Sequence, residues 1–525
     1  MADTSREFVL DGDARAGSDV LLAMAGGASL AGGLSWVNGG PARASRRSWL
    51  DTFDWRLYRA GLTLEQVSGR HGTELVLTGR DGEVLATQRV AAGPAWPSLA
   101  GALPAGPLRE LIEPVAGIRA LCPVARATSK VSELRALNDD AKTVARLAVD
   151  RMSVTFPARA PAPPRLTLTP VRGYSGFADR VGRAIAGVPG ISAGRGSALD
   201  TALALAGQHA GDRPGKAAAV ELSPSMPAAA GMAAILTALL DSLEANVPGT
   251  IRDIDTEFLH DLRIAVRWTR SALKLCGRAL PGGMAREFRP EFRWLGDLTT
   301  PSRDLDVYLL DFDGMAAGLV AATESELGPF RQHLDRTRAA EHRTLVRGLR
   351  SARFARLAAG WRAALESVRP ARKRPTVTQL AATRISAAQG LALQAGLLIT
   401  PHSPAQSLHD LRKRCKELRY LVEMFGSLHE PAQRWEAVRE LKALQDCLGA
   451  FQDAEVQRAE IRAFAEQMLA ARSAPAATLL AMGEIAAGLA RRQAAARSEF
   501  DGRFAAFASP ASQSRLSALA EPGAA

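Results

Sequence analysis

Short apolar runs separated by turn-forming residues fill the first third of the chain, a pattern typical of β-strands. These runs are residues 8–10, 49–53, 62–67, 75–77, 84–85, 131–137, 144–149 and 166–168. Asp81-Gly82 lies between two of them and is a strong signal of a hairpin. Successive hairpins with few helices between them predict an antiparallel meander that curls or closes into a β-barrel-like domain.

From residue 228 to about residue 507, apolar positions recur with the period of an α-helix. Pro214, Pro224 and Pro227 mark a linker before this region. The pattern therefore predicts an α+β multidomain protein. Its predicted segments are a β domain at residues 1–200, a linker at 201–224, an all-α domain at 225–508 and a flexible tail at 509–525.

The helical half contains an internal repeat. The tetrapeptide His-Asp-Leu-Arg at residues 260–263 recurs at residues 409–412, 149 positions later. The same offset relates Arg267 to Lys416, Arg270 to Arg419, Asp297 to Asp446, Asp304 to Asp453, Asp306 to Glu455 and Val307 to Val456. One offset linking so many positions predicts two homologous helical bundles of about 140 residues each, at about residues 225–365 and 376–508.

Each tetrapeptide belongs to a helix with a basic stripe along one side, because a helix advances about 100° per residue and the basic residues fall within one sector about 80° wide. The first stripe consists of His260, Arg263, Arg267, Arg270 and Lys274. The second consists of His409, Arg412, Lys416 and Arg419, with Lys413 and Tyr420 beside it. Ser403, Pro404 and Gln406 predict that the second helix begins with Ser403 as its N-cap, so that its positive end also favours an anion.

A third basic face is predicted downstream. Its residues are Arg336, Arg343, Arg347 and Arg350 in the first repeat and Arg491, Arg492 and Arg497, more loosely arranged, in the second. Like charges one helical turn apart cost about 0.2–0.5 kcal/mol per pair, and solvated helices normally alternate Glu with Lys instead. An anionic ligand would turn this repulsion into attraction, so we interpret the stripes as ligand-binding faces rather than solvated surfaces.

Charge and composition narrow the ligand. The 525-residue chain has a formal net charge of +12 and a sequence pI near 10.1, which indicates nucleic acid, an acidic membrane surface or polyphosphate as partner. Arginine forks match phosphate oxygens. Aromatic residues, on which single-stranded nucleic acids stack, are only 5% of the chain and nearly absent from the stripes. This argues against single-stranded nucleic acid as the ligand, but not strongly against binding to the backbone of a duplex.

Histidine, carboxylate and cysteine patterns predict no metal and no cofactor. His260 and His409 are surrounded by arginine, which favours phosphate donors over metal ligands. The repeated acidic residues could be catalytic or metal-binding, but we favour a role as counter-charges for the basic side chains. Four scattered cysteines without a CxxC pair indicate a reducing cytoplasm. The uncharged, glycine-rich residues 20–42 are interpreted as part of a soluble domain rather than a membrane anchor.

The helical half resembles the CHAD family, the conserved histidine α-helical domain. The resemblance rests on the two His-Asp-Leu-Arg motifs and on the segments at residues 303–307 (Arg-Asp-Leu-Asp-Val) and 444–456, and it covers residues 225–508. It implies two four-helix bundles around a basic groove or pore that binds inorganic polyphosphate, often at polyphosphate granules.

The N-terminal half resembles a CYTH domain, the triphosphate tunnel fold, through residues 51–64 and Pro-Val-Arg-Gly-Tyr at 170–174. The family's opening Glu-x-Glu-x-Lys, however, reads Ser5, Glu7 and Val9 here, and its late acidic strand reads Leu-Thr-Leu-Thr at 166–169. A basic position of the family is Thr78, whereas Arg126, Lys130 and Arg135 keep some positive charge. Such hydrolysis needs carboxylates that hold a divalent metal.

The sequence therefore predicts a non-enzymatic, cytoplasmic polyphosphate-binding protein with a degenerate CYTH-like domain, possessing no catalytic residues. Two alternatives remain open at this stage. One is a metal-dependent triphosphatase or polyphosphatase acting through the CYTH domain, and the other is a protein that binds the nucleic-acid backbone. Oligomeric state is left open.

Overall fold

The structure, a computed structural model, describes residues 6–10, 35–91, 95–188, 190–194, 196–212, 220–369 and 375–520. The chain forms two units, Met1–Gly215 and Lys216–Ala525. The first is built on an antiparallel sheet and the second is all-helical, so the predicted α+β class is confirmed. Ser5, Pro214 and most of the glycine-rich stretch lie outside the described residues.

The N-terminal unit contains one antiparallel sheet, in which apolar side chains alternate with polar ones as the pleat requires. Its strands are β1 (Arg6–Leu10), β2 (Ser35–Asn38), β3 (Arg43–Thr52), β4 (Thr63–Gly69), β5 (Gly72–Thr78), β6 (Val84–Val90), β7 (Ser98–Leu99), β8 (Ala120–Leu137), β9 (Thr143–Phe156), β10 (Ala160–Pro161), β11 (Arg165–Pro170) and β12 (Ile191–Ala193). The order is β12-β1-β11-β9-β8-β3-β4-β5-β6, with β10 beside β9 and with β2 and β7 beside β8. The predicted hairpin is confirmed: β5 and β6 pair across the turn in which Gly82 has φ of +78°.

Short helices cover parts of this sheet. They are α1 (Arg56–Arg59), α2 (Pro107–Ala116), α3 (Ser175–Ala186) and α4 (Ala198–Ala204). The unit extends past the predicted boundary at residue 200, because α4 begins with a capping box between Ser197 and Asp200 and buries Leu199 and Leu203 beside Trp49.

The helical unit repeats one arrangement of helices. The first repeat contains α5 (Ala228–Ile251), α6 (Thr256–Cys276), α7 (Met284–Leu310), α8 (Phe312–Ala317), α9 (Gly328–Leu349) and α10 (Ala352–Glu366). The second contains α11 (Val377–Leu397), α12 (Ala405–Met424), α13 (Pro431–Ala470), α14 (Ala476–Ala508) and α15 (Pro510–Ala518). The offset of 149 found in the sequence also relates the first residues of α5 and α11, and those of α6 and α12, so the repeat is structural as well.

In the first repeat α5, α6, α7 and α9 pack in a ring, each against the next. In the second, α11 packs on α12, α12 on α13, and α13 on α14. One core runs through both repeats and includes Met232, Leu262, Leu411 and Leu441. The two repeats also meet at a second apolar cluster, where Phe330 of α9 packs with Ile461 of α13 and their neighbours.

Where the sequence predicts a flexible tail, the structure has α15. Ser509 caps this helix by accepting a hydrogen bond from the backbone N–H of Ser512, and Leu516 and Leu519 are buried in the core. Burial of these two leucines offsets the entropy lost when the segment becomes ordered.

Among the described residues, α5 is the one helix long and apolar enough to cross a membrane by length and composition alone. Met232, Leu236 and Leu243 on this helix belong to the core of the helical unit. This burial shows that α5 contributes to the core of its bundle.

Candidate functional site

The two basic helices lie beside each other, as the repeat predicts. The rings of Trp268 on α6 and Tyr420 on α12 are 5.6 Å apart between centroids. One turn further along, Lys274 of α6 forms an ion pair with Glu417 of α12. These contacts bring the facing parts of the two basic stripes onto one surface.

The start of α12 differs from the prediction by one residue. Pro404, in extended backbone conformation, is the N-cap, and α12 begins at Ala405 without a side-chain cap. The Ser403 hydroxyl instead accepts a hydrogen bond from the Thr400 backbone N–H at 2.9 Å. His409 and Arg412 nevertheless lie in the first two turns, where unpaired backbone N–H groups favour anions.

Four basic residues from the two stripes form what we call the cation cluster. They are Arg267 of α6 and Arg412, Lys416 and Arg419 of α12. Burial and then the nearby guanidinium groups, with Arg412 foremost, lower the pKa of Lys416 to about 8. Neither Lys416 nor Arg267 forms an ion pair with any residue in the described ranges. The cluster therefore holds positive charge that the protein itself balances only in part.

Two arginines at equivalent positions of the repeat are held by their own bundles. Arg263 donates hydrogen bonds to the hydroxyls of Thr299 and Thr300 on α7, at 3.3 and 2.7 Å. Arg412 forms an ion pair with Asp453 of α13 at 2.8 Å. These contacts fix the positions of both guanidinium groups before any ligand arrives.

The repeated acidic residues contact basic side chains, which supports their interpretation as counter-charges. Asp453 pairs with Arg412. Burial lowers the pKa of Arg263, and the charge of Asp304 opposes this shift. Asp306 is buried and pairs with Arg338 at 2.6 Å. No group of three or more His, Cys, Asp or Glu residues with the geometry to hold a metal occurs within the described residues.

The two histidines of the repeat are half-buried at the first turns of their helices. The His409 Nδ1 atom lies 2.7 Å from the Gln452 side-chain oxygen on α13. A hydrogen bond here requires that Nδ1 carry the proton, which leaves Nε2 as the ring nitrogen free to meet a ligand.

The remaining residues of the two stripes lie at the margins of the cluster. Arg270 and Lys274 are exposed on α6, and Lys413 is exposed on α12 with its ammonium 3.1 Å from Asp410. Tyr420, in contrast, is only 4% exposed. Burial of Tyr420 was not predicted, because its aromatic partner Trp268 comes from the other repeat.

The third basic face is not brought to the cluster. Helix α9, which carries Arg336, Arg343, Arg347 and Arg350, packs against α5 and α7 and is therefore diagonally opposite α6 in the ring of four helices. All four of these arginines are exposed at that opposite corner. In the second repeat Arg492 is exposed, while Arg497 donates hydrogen bonds to backbone carbonyls before α12, including that of Pro401 at 3.1 Å.

Comparison with known proteins identifies the fold of this unit. Residues 234–462 match the family model of the CHAD domain. The helical unit contains a CHAD domain. The matched range includes both basic helices, the ion pair between Arg412 and Asp453, and all of the cation cluster.

Two solved structures are similar in fold. The crystal structure of the CHAD domain from the plant Ricinus communis is 23% identical and covers 55% of this chain and 95% of its own, with a TM-score of 0.46. PptA from Streptomyces chartreusis is 18% identical and covers 53% of this chain and 99% of its own, with a TM-score of 0.42. No curated protein matches the chain. The assignment to the CHAD domain rests on the range that the family model matches.

The sequence analysis did not find a cavity of about 700 Å³ over the N-terminal sheet and one of about 930 Å³ beside the cation cluster. The larger cavity is lined by Arg267, Arg419 and Tyr420 together with apolar residues of α5, α12 and α13. Trp435 on α13 is 64% exposed at this cavity, an uncommon position for so large an apolar side chain. The signal available in the sequence was a tryptophan, Trp435, flanked by the charged residues Arg434 and Glu436.

The N-terminal sheet, which is consistent with a CYTH-like fold, pairs its charges. Following the register across β1, β11, β9, β8, β3 and β4 places Glu7, Arg165, Asp150, Arg47 and Glu65 on one face. On this face Arg165 pairs with Glu7 at 2.6 Å, and Arg47 pairs both with Asp150 at 2.9 Å and with Glu65. The carboxylates are therefore neutralised by neighbouring arginines.

Part of the opposite face of the same sheet is basic, whereas Leu147, Leu166 and their neighbours on that face belong to an apolar core. The cavity of about 700 Å³ there is lined by Arg46, Lys130 and Arg151 among serines, threonines and glycines, with no Asp or Glu among its lining residues. Alternation along β8 puts Arg126 and Lys130 on this basic face and Arg135 on the face of Glu7. The three basic residues predicted to keep the positive character of this unit thus belong to two different surfaces.

Proposed function

We propose that the CHAD domain binds inorganic polyphosphate at the cation cluster and that the protein holds this polymer without hydrolysing it. The CHAD family is linked to polyphosphate binding. The observation that carries the proposal is geometric: Arg267 and Lys416 lie with Arg412 and Arg419 in one cluster, and neither Arg267 nor Lys416 forms an ion pair within the described residues. Burial, and then repulsion by Arg412, lowers the pKa of Lys416 to about 8, which accords with incomplete counter-charge. A linear polyanion supplies negative charge at every monomer and so relieves this repulsion along the surface.

Arginine geometry supports phosphate over other anions. Arg263 and Arg412 are held in place by hydrogen bonds to α7 and α13, so less side-chain entropy is lost when they bind. The stripe extends from His409 to Arg419, and the matching stripe of α6 lies beside it. A ligand that spans both helices needs several phosphates in a row, which favours a polymer over a single phosphate ion.

The N-terminal unit is proposed to have no hydrolytic activity. Metal-dependent hydrolysis needs carboxylates available to the metal. Glu7, the one residue of the opening motif that matches the family, has its carboxylate 2.6 Å from the Arg165 guanidinium. Incubation with tripolyphosphate and Mg²⁺ or Mn²⁺ is expected to release no phosphate. Release that Glu7→Ala abolishes would show instead that this unit is a triphosphatase.

The binding proposal is tested by reversing charge within the cluster. The double variant Arg412→Glu plus Lys416→Glu is expected to weaken polyphosphate binding at least about 100-fold and to flatten its salt dependence, because fewer counterions are released. The control is Arg286→Glu plus Arg356→Glu, which makes the same change in net charge at two exposed positions outside the stripes. Equal losses in both variants would mean that net charge, and not the cluster, attracts the polymer.

Ligand class is tested with polyphosphates of graded length and with duplex DNA at the same phosphate concentration. Affinity should rise with length until the polymer spans both helices and then level off. Displacement of bound polyphosphate by duplex DNA would overturn the proposal in favour of nucleic-acid backbone binding. The proposal also predicts enrichment of the protein at polyphosphate granules in cells. The double variant should lose this enrichment.

A further inference from the structure

The cavity of about 930 Å³ beside the cation cluster combines apolar walls with charged residues at its edge. Its lining includes the rings of Trp268, Tyr420 and Trp435. The volume lies in the range of small-molecule sites, which are commonly about 300–1,000 Å³ and mostly apolar with a few oriented polar groups. Binding of a phosphate polymer alone does not explain why aromatic side chains line this cavity.

The Tyr420 hydroxyl is a buried polar group without a hydrogen-bond partner among the described residues. Tyr420 is 4% exposed, and its hydroxyl oxygen is buried without a hydrogen-bond partner among the described residues. Buried hydroxyls in proteins are normally hydrogen-bonded, since leaving one unpaired costs about 1–3 kcal/mol. Tyr420 lines the cavity, so a small rotation of its side chain on binding would let a ligand with a hydrogen-bonding atom on its apolar part supply this partner.

The charges around the cavity favour an anion. Arg267, Arg419 and Arg434 line it, and Glu423 is the one carboxylate among its lining residues. The guanidinium carbons of Arg267 and Arg419 lie 5.8 and 5.6 Å from the centroid of the Tyr420 ring. These two arginines belong to both the cavity and the cation cluster, so the apolar space opens directly onto the proposed phosphate-binding surface.

We propose that this cavity binds the heteroaromatic base of a nucleoside polyphosphate, whose phosphates extend onto the cation cluster. The base stacks on the aromatic walls, and its polar edge reaches the Tyr420 hydroxyl. Arg267 and Arg419 bind the first phosphates, and Lys416 and Arg412 bind those that follow. The inference rests on the proposed function, since it uses the same cation cluster for the phosphate part of the ligand.

An alkyl phosphate has the same charged end but fits the observations less well. Its chain would fill the apolar space while leaving the Tyr420 hydroxyl unpaired. An alkyl chain also gains nothing from the flat ring faces beyond ordinary apolar burial. Dodecyl phosphate is therefore the comparison ligand that separates base recognition from simple amphiphile binding.

The test compares ATP with tripolyphosphate by calorimetry on the full chain, without divalent metal and at constant ionic strength. The wild type is expected to bind ATP at least as tightly as tripolyphosphate, although ATP has the smaller charge. Trp435→Ala should weaken ATP binding about ten-fold, as expected for loss of one stacking partner, and change tripolyphosphate binding less than two-fold. Tyr420→Phe, which removes only the hydroxyl, should weaken ATP binding about three-fold.

Each result has one meaning. Binding of tripolyphosphate with weaker, Trp435-independent binding of ATP would overturn the base site and leave the proposed function standing. Failure of the wild type to bind ATP, tripolyphosphate and long-chain polyphosphate would overturn the proposed function and this inference together, whereas binding of long-chain polyphosphate alone would overturn only the base site. Dodecyl phosphate that binds as tightly as ATP and loses as much in Trp435→Ala would overturn recognition of a base. Trp435 is exposed on the surface of α13, so its replacement does not disturb the core.

Discussion

In the N-terminal sheet Arg47 lies between the carboxylates of Asp150 and Glu65, whereas in the CHAD domain Lys416 lies among other cations, with Arg412 its strongest repulsive neighbour. Both side chains are largely removed from water. The first has its counter-charges within the protein, and the second does not. We expect the first charge to stabilise the fold and the second to bind a ligand, a difference that the sign of the change in the free energy of unfolding can measure.

The largest effect is expected at the paired site. Arg47→Met leaves Glu65 and Asp150, each less than a fifth exposed, without their counter-charge, and should destabilise the N-terminal unit by about 3–5 kcal/mol. The change in the free energy of unfolding can be measured by denaturant titration, with hydrogen exchange of the amides in β3, β8 and β9 as the probe. Arg43→Met is the control: its side chain is 72% exposed, and loss of its ion pair with Glu133 should cost less than about 1 kcal/mol. A similar loss of stability in both variants would show that the buried ion pairs of Arg47 do not stabilise the fold more than an exposed ion pair does.

The next effect concerns pH. The pKa of Lys416 is lowered to about 8, so its charge is present at pH 7 and is lost as pH rises through about 8 in the free protein. Polyphosphate affinity should therefore fall about ten-fold between pH 7 and pH 10, the value of one charge-assisted hydrogen bond. Calorimetry in buffers of different ionisation enthalpy should also detect proton uptake on binding near pH 8. Lys416→Arg, which stays charged, should show neither effect, and an unchanged pH profile would exclude Lys416 as a ligand contact.

A smaller effect has the opposite sign to that of Arg47. Lys416→Met removes the repulsion between Lys416 and two like charges on α12, Arg412 and Arg419. It should therefore stabilise the ligand-free CHAD domain by about 0.5–1 kcal/mol. Because the folded-state pKa of Lys416 is below its unfolded value, wild-type stability should also rise as pH increases from about 8 towards 10. Lys442→Met is the control, since Lys442 is exposed and paired with Asp446 at 2.8 Å, and should be neutral or slightly destabilising. Destabilisation by Lys416→Met would show that the lysine supports the fold.

The smallest effect tests the internal counter-charge. Asp453→Asn frees Arg412 from its ion pair and should raise polyphosphate affinity at pH 7 about two- to three-fold. Asp446→Asn, at another repeated acidic position on the same helix, should leave affinity unchanged. A loss of affinity in Asp453→Asn would mean that Asp453 acts by orienting Arg412 rather than by competing with the ligand for it.

Sequence reasoning found the parts of the site that depend on periodicity. The constant offset between the repeats located both basic helices, and helical spacing placed Arg267 and Lys416 on the facing stripes. It did not find the third face to be separate, because the position of α9 relative to α6 is a property of how four helices pack. Nor did it find the buried Tyr420, whose environment is created by Trp268 of the other repeat.

The predicted ends of structural elements were wrong where a tertiary contact or a competing local hydrogen bond determines the structure. Ser403 has the residue type of an N-cap, but its hydroxyl is used in the turn with Thr400, and Pro404 takes the capping position. Residues after 508 have the composition of a tail, yet Leu516 finds a place in the core and the segment becomes a helix. Amino-acid composition does not show whether a leucine will be buried in the core.

The anchors of the two equivalent arginines make the duplicated site unequal. Arg263 is held by the neutral hydroxyls of Thr299 and Thr300, while Arg412 is held by the carboxylate of Asp453. Inorganic polyphosphate has two identical ends, so a polymer bound across both helices would meet two unequal anchors. We expect Arg412 to give up an ion pair, and Arg263 only hydrogen bonds to neutral hydroxyls, when each binds phosphate. The site would then have a direction that its ligand lacks.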